Sequence, residues 1–223
     1  MFIWPKFILT TEGDQLNKML LQIIISCLLA LLLAGISSAA DEKSSNDQIL
    51  YSYEGDLADK DIFPVDLVSF IGAPAFFFAE AVKFNAPKSN WKINAVQLYA
   101  WDGFNGTNES VPMERIIGLE IRDKDLKLLY KFADSQLPYS NYAHNATLMY
   151  PLTIDIPQVP VSGEFYVCFF DRGAVVVAAE PINETSKTSF IYVEDGNSLI
   201  NSTLPTGENL VTPVNWIMAV NGN

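Results

Sequence analysis

The sequence predicts an all-β domain, a sandwich or barrel of antiparallel sheets, placed behind an N-terminal apolar segment long enough to form a helix. Three observations predict it. About nine or ten short runs rich in aromatic and β-branched residues follow residue 75, several of them alternating apolar and polar with period two. Turn signals such as Asp102-Gly103, Asn105-Gly106, Asp195-Gly196 and Asn221-Gly222 separate them every eight to fifteen residues. No amphipathic helical pattern exceeds two turns, and alternating strands of this kind favour antiparallel sheets with one wet face.

The first element is Met19 to Ala40, MLLQIIISCLLALLLAGISSAA, which carries no charge. Its length is near the roughly 20 residues that cross a bilayer, so the far end decides between two readings. Ser38-Ala39-Ala40 fits the small-x-small site of signal peptidase, with Leu28 to Leu33 as the apolar core, which predicts a signal peptide cleaved after Ala40. An uncleaved membrane anchor is the alternative. Glu12 and Asp14 make residues 1–18 a poor leader start, and Met19 is an alternative first residue. Lys6 and Lys18 lie before the apolar run and Asp41 and Glu42 after it, so the positive-inside bias sends the C-terminal part outward. The expected location is extracellular or at the cell surface, with membrane contact only through residues 19–40 if they are retained.

Residues 41–223 suffice for one domain with a sizeable core. They keep the full net charge of −12, because the leader's two lysines cancel its two acidic residues. That balance argues against nucleic acid and anionic lipid as partners, although acidity also serves solubility alone. Cys27 falls in the leader, so Cys168 is the only thiol of the exported part and no intrachain disulfide or cysteine zinc site is available. Its setting, Phe165-Tyr166-Val167-Cys168-Phe169-Phe170, reads as a buried strand in which the thiol acts as a small hydrophobe.

Residues 41–61 are acidic and without period, and read as a flexible tether before a domain spanning 62–223. Ala75 to Phe84 reads as a strand, closed by Pro87, after a segment around Asp66 to Phe70 that admits a helical turn. Trp91 to Trp101 is the clearest strand. Ile117, Leu119 and Ile121 alternate with Gly118, Glu120 and Arg122, Asp123-Lys124-Asp125 turns, and Leu126 to Tyr130 returns, which predicts a hairpin over 114–131. Leu152, Ile154 and Ile156 form a strand expected to close at Pro157 and Pro160. Strands at 165–170, 174–179, 190–193 and 214–220 complete the set.

The succession AEAVKFNAP at 79–87, WKINAVQLYAW at 91–101, GLEIRDKDLKLLY at 118–130, LTIDIPQVPVSGEFYVCFF at 152–170 and the closing NWIMAV resembles a family of uncharacterised archaeal secreted proteins. That resemblance implies a two-sheet β-sandwich of jelly-roll type, similar to galactose-binding-like and carbohydrate-binding domains. The shared positions are core and turn residues, so no functional residue is carried over.

Five Asn-x-Ser/Thr sequons, at Asn105, Asn108, Asn145, Asn183 and Asn201, fall in or beside predicted loops and are candidate glycosylation sites; the same residue types also simply build turns. No catalytic motif is present: His144 is the sole histidine, and no nucleophile elbow, zinc-binding His pair or phosphate loop occurs. A non-enzyme without a cofactor is therefore expected. The one ion the pattern admits is calcium, at Asp123 and Asp125 or Glu194 and Asp195, where an Asp more commonly caps its own turn. For sugar contact, Trp101, Tyr139 and Tyr142 are the aromatics least committed to the core, whereas Trp91 and Trp216 sit within strands. The expected role is adhesion or recognition, with a glycan as ligand. A structural envelope role or a cell-surface protein partner is the alternative, and a secreted hydrolase the third class.

Overall fold

The computed structural model describes residues 47–72, 77–101, 116–136, 150–173, 175–207 and 210–223. The apolar segment 19–40 lies outside them, and no helix among the described residues is long and apolar enough to cross a membrane.

The protein is all-β, with two antiparallel sheets. In chain order the strands are β1 (Gln48–Tyr51), β2 (Phe63–Val65), β3 (Phe78–Asn85), β4 (Trp91–Trp101), β5 (Ile116–Asp123), β6 (Leu128–Gln136) and β7 (Tyr150–Val161). They continue as β8 (Glu164–Phe170), β9 (Val176–Pro181), β10 (Ser189–Val193), β11 (Ser198–Asn201), β12 (Thr203–Gly207), β13 (Leu210–Trp216) and β14 (Met218–Gly222). One sheet runs β1-β14-β4-β9-β13-β12, with β7 added to β4 and β2 to β9. The other runs β11-β10-β3-β8-β5-β6.

Alternation fills the space between the sheets. Val82 and Phe84 of β3, Ile117, Leu119 and Ile121 of β5, and Val167 and Phe169 of β8 meet Val96, Leu98, Ile154, Val177, Trp216 and Val220 in one core. The opposite face of the six-stranded sheet carries a second, smaller apolar cluster of Ala79, Ala81, Tyr166, Cys168, Phe170 and Tyr192. Cys168 is fully buried there, and burial pushes its thiol far above the ordinary range, so it stays protonated and unreactive.

Three local features depart from the sequence pattern, each for a physical reason. Residues 48–51, inside the acidic stretch read as a tether, form β1, because β14 offers an open edge and Leu50 packs on the core. The turn admitted near Asp66 is helix α1 (Leu67–Ile71), started by the Asp66 carboxylate on the Ser69 N–H and ended by Gly72 at φ 66°. β7 runs through Pro157 and Pro160 rather than stopping there. Its register against β4 slips between Val159 and Asp155, so Pro157 lies in a bulge, and β4 is the only partner strand it has among the described residues, so edge prolines cost no ladder bond.

The chain end is clamped to β4 by paired bonds, Lys92 N–H to the Asn223 carbonyl at 2.9 Å and Asn223 N–H to the Lys92 carbonyl at 3.0 Å. Gly222 lies under the Trp91 indole, and a Cβ there would overlap both that ring and the Lys92 carbonyl oxygen. Neither can retreat, since Trp91 is 1% exposed. Gly222→Ala is expected to cost about 2–3 kcal/mol, seen as a lowered midpoint in urea with an unchanged slope.

Candidate functional site

The described residues form a groove of about 500 Å3 lined by Tyr51, Tyr53, Gly55, Asp56, Leu57 and Tyr99. Strand register builds it. Tyr51 of β1 pairs with Ala219 of β14, which pairs in turn with Gln97 of β4. Inward positions Val96, Leu98, Met218 and Val220 belong to the core, so Tyr51, Ala219, Gln97 and Tyr99 share the outward face. The methyl of Ala219 fills little of the space between the rings.

Ser52 fixes the two tyrosines beside it. Its N–H donates to the Met218 carbonyl at 2.9 Å, its hydroxyl donates to the Trp216 carbonyl at 2.7 Å, and the Met218 N–H donates to that hydroxyl at 2.9 Å. With Ser52 held inward, Tyr51 and Tyr53 project the other way, their rings 5.2 Å apart and edge-to-face at 61°. Gly55, at φ 77°, then reverses the chain, and Asp56 Oδ1 accepts the Ala58 N–H at 3.0 Å to start a single 3-10 turn over Leu57–Asp59. Lys60 anchors the far end of this loop through a 2.8 Å ion pair with Glu180.

The chemistry of the groove is that of three phenols and one carboxylate. Burial, the nearby Tyr99 and a hydrogen bond between the two raise the Tyr53 phenol above the usual tyrosine range, so it remains a neutral donor. Tyr51 is 52% exposed and offers a ring face to solvent.

The residues expected from sequence fall differently. Trp101 is half-buried at the end of β4, two positions beyond Tyr99 and so on the same face. Tyr139, Tyr142, His144 and the sequons at Asn105, Asn108 and Asn145 lie outside the described residues. Asn183, between β9 and β10, and Asn201, ending β11, are both exposed. Trp91 and Trp216 are 1% and 0% exposed, in the core as their strand positions imply.

The Asp123 turn keeps its carboxylate for itself: Oδ1 accepts the N–H groups of Asp125 and Lys127, both at 2.9 Å, and Lys124 pairs with Asp125. Glu194 faces Lys131 at 3.6 Å. Among the described residues no group of three metal-ligating side chains converges. Tyr51, Tyr53 and Tyr99 were not singled out by pattern, because Tyr-Ser-Tyr stands in an acidic stretch and Tyr99 inside a strand. The legible signal is two aromatics with period two running straight into Glu-Gly-Asp, a strand end meeting a turn.

Comparison of the chain with protein-family models, with curated proteins and with solved structures finds no match in any of the three.

Proposed function

We propose that the protein is an exported recognition module of jelly-roll type, acting at the cell surface, and that it binds a glycan in the tyrosine groove. The observation that carries this reading is the convergence of Tyr51, Tyr53 and Tyr99 with Asp56 around an open outward-facing trough. A pyranose has one flat apolar face and an equatorial belt of hydroxyls. The exposed Tyr51 ring covers the first, while phenol hydroxyls and a carboxylate bond the second. The leader pattern and the exposed sequons at Asn183 and Asn201 support the export reading.

The test is a glycan array probed with the purified protein and with Tyr51→Ala and Tyr99→Ala variants. Losing one stacking ring is expected to weaken binding about tenfold, equivalent to roughly 1.4 kcal/mol, without lowering the melting temperature of the Tyr51→Ala variant. A folded wild type that binds nothing, or binding indifferent to both substitutions, sinks the proposal.

A protein partner is the second reading, favoured by Leu210 and Val211, 65% and 68% exposed at the start of β13. Such a partner would survive loss of the tyrosines and fail when both aliphatic residues are made polar.

A further inference from the structure

Glu80 stands on β3 in the row Phe78, Glu80, Val82, Phe84, whose other members pack on the core, and it is 0% exposed. Neither of its carboxyl oxygens has a conventional hydrogen-bond partner. The group within hydrogen-bonding reach is a second carboxyl, that of Asp171 just beyond β8, itself 1% exposed. Asp171 already accepts two backbone donors, Leu67 N–H at 3.0 Å on the first residue of α1 and Gly173 N–H at 3.1 Å. It therefore sits as an acceptor facing an acceptor.

Among the described residues the surroundings supply no compensating cation. The cross-strand neighbours of Glu80 are Phe169 on β8 and Ile191 on β10, with Leu119 of β5 beyond Phe169. From α1 the charged neighbour is Asp66, which raises both carboxyls further. Arg172 follows Asp171 in the chain, but its Nη2 lies over Gly118 and the Phe170 side chain, on the other face of the sheet. Glu120, Arg122 and Tyr192 belong to that other face as well. A buried carboxyl so placed is satisfied by a proton.

We infer that Glu80 and Asp171 share one proton, and that this carboxyl–carboxylate bond is a pH-operated latch holding α1 and the adjoining β2 on the sandwich. Glu80 O–H donates to Asp171, whose negative charge then receives the Leu67 and Gly173 N–H groups. Loss of the shared proton sets two buried like charges against each other beside Asp66. The element tied directly to the pair is α1, a five-residue helix whose Leu67 N–H is held by Asp171 while the Leu67 side chain lies in the core.

The direction with pH follows from proton binding. Burial, with Asp66 adding to it, pushes Asp171 up to about 6 although the Gly173 and Leu67 N–H groups and the Glu80 hydrogen bond pull it down. Burial followed by the Asp171 charge pushes Glu80 well above the ordinary carboxylate range. From the ordinary range near pH 4 upward the folded protein therefore holds more protons than the unfolded chain, and stability falls as pH rises through about 6 and beyond.

The test is the melting temperature of the full chain from about pH 4 to about pH 9, with chelator and with added calcium, for wild type and Glu80→Gln. The wild type is expected to lose several degrees over this span, indifferent to calcium. Glu80→Gln keeps a donor toward Asp171 but cannot ionise, so its melting temperature holds at the alkaline end and exceeds that of wild type there. Carboxyl 13C NMR of the wild type provides a readout independent of any variant, with two coupled resonances titrating above the ordinary range. Ordinary titration of both carboxyls overturns the inference. So does a melting temperature raised by calcium and lowered by chelator, which would assign the pair to a cation.

Discussion

Replacing Trp216 by alanine is expected to cost about 4–5 kcal/mol, the top of the range for a buried aromatic, and so a large part of the roughly 5–15 kcal/mol that holds a domain folded. The indole is 0% exposed in the core between the sheets. Its Nε1–H donates to the Phe190 carbonyl at 2.8 Å, so one side chain rooted in the eight-stranded sheet bonds the backbone of the six-stranded one. The variant would open a cavity and also strip that carbonyl of its donor.

The neighbourhood explains why collapse cannot repair the loss. The Trp216 N–H donates to Ser189 Oγ at 3.0 Å. Ser202 Oγ lies 3.0 Å from the Ser189 carbonyl and 2.6 Å from that of Val214, and the Val214 N–H donates to the Ser202 carbonyl at 2.8 Å. β10 and β13 are thereby joined by hydrogen bonds at fixed separation, and the sheets cannot close over the gap. Trp216→Phe keeps most of the apolar volume and loses only the donor, so about 1–3 kcal/mol is expected. Urea unfolding of the two variants separates cavity from hydrogen bond: equal losses would show that the Phe190 bond, and not the packing, dominates the seam.

Much of this architecture was readable in the sequence, because strands announce themselves through alternation wherever one face is buried and the other wet. Ile117, Leu119 and Ile121 declared β5, and Asp123-Lys124-Asp125 its turn. Alternation fails where both faces are covered. Ala79 to Phe84 carries apolar groups on each side of the six-stranded sheet, so Glu80 looked like one polar residue in a mixed run. Only the pairing of β3 between β8 and β10 shows that it points inward with Phe78 and Val82.

The candidate groove was illegible for a different reason. β1 has four residues, three of them exposed, too little apolar pattern to register as a strand. Its existence depends on the open edge of β14, nearly 170 residues away in the chain. Tyr51 and Tyr99 become neighbours through that pairing, and no local rule brings them together. Short strands such as β11 and β12 were likewise hidden, because each is supported by its partner and not by its own composition.

The second large effect lies on the far face of the six-stranded sheet, where Glu120 is 1% exposed. Its Oε2 receives Nε and Nη2 of Arg122, each at 2.7 Å, and its Oε1 faces Lys131 Nζ at 3.0 Å. Arg122 is 9% exposed, stacks 4.6 Å over the Tyr192 ring, and donates from Nη1 to the Leu126 carbonyl and to Asn197 Oδ1. One guanidinium thus gathers the β5–β6 turn and the β10–β11 turn onto the small cluster around Cys168. Glu120→Leu would leave that guanidinium buried with only neutral acceptors, and a loss of about 3–5 kcal/mol is expected. Arg122→Met should cost less, since it leaves the Glu120 carboxylate buried but still paired with Lys131. Desolvating both charges consumes most of what their attraction returns, so the double variant, with two apolar side chains of similar size, is expected to recover most of either single loss. Once Glu120 is replaced, Lys131 is left 40% exposed and 3.6 Å from Glu194, so it adds no buried unpaired charge to the double variant. A thermodynamic cycle over the four proteins measures the coupling: strong compensation in the double variant identifies a buried pair whose members need each other, whereas additive losses would mean that Arg122 holds the turns through its neutral acceptors and Tyr192, independent of Glu120.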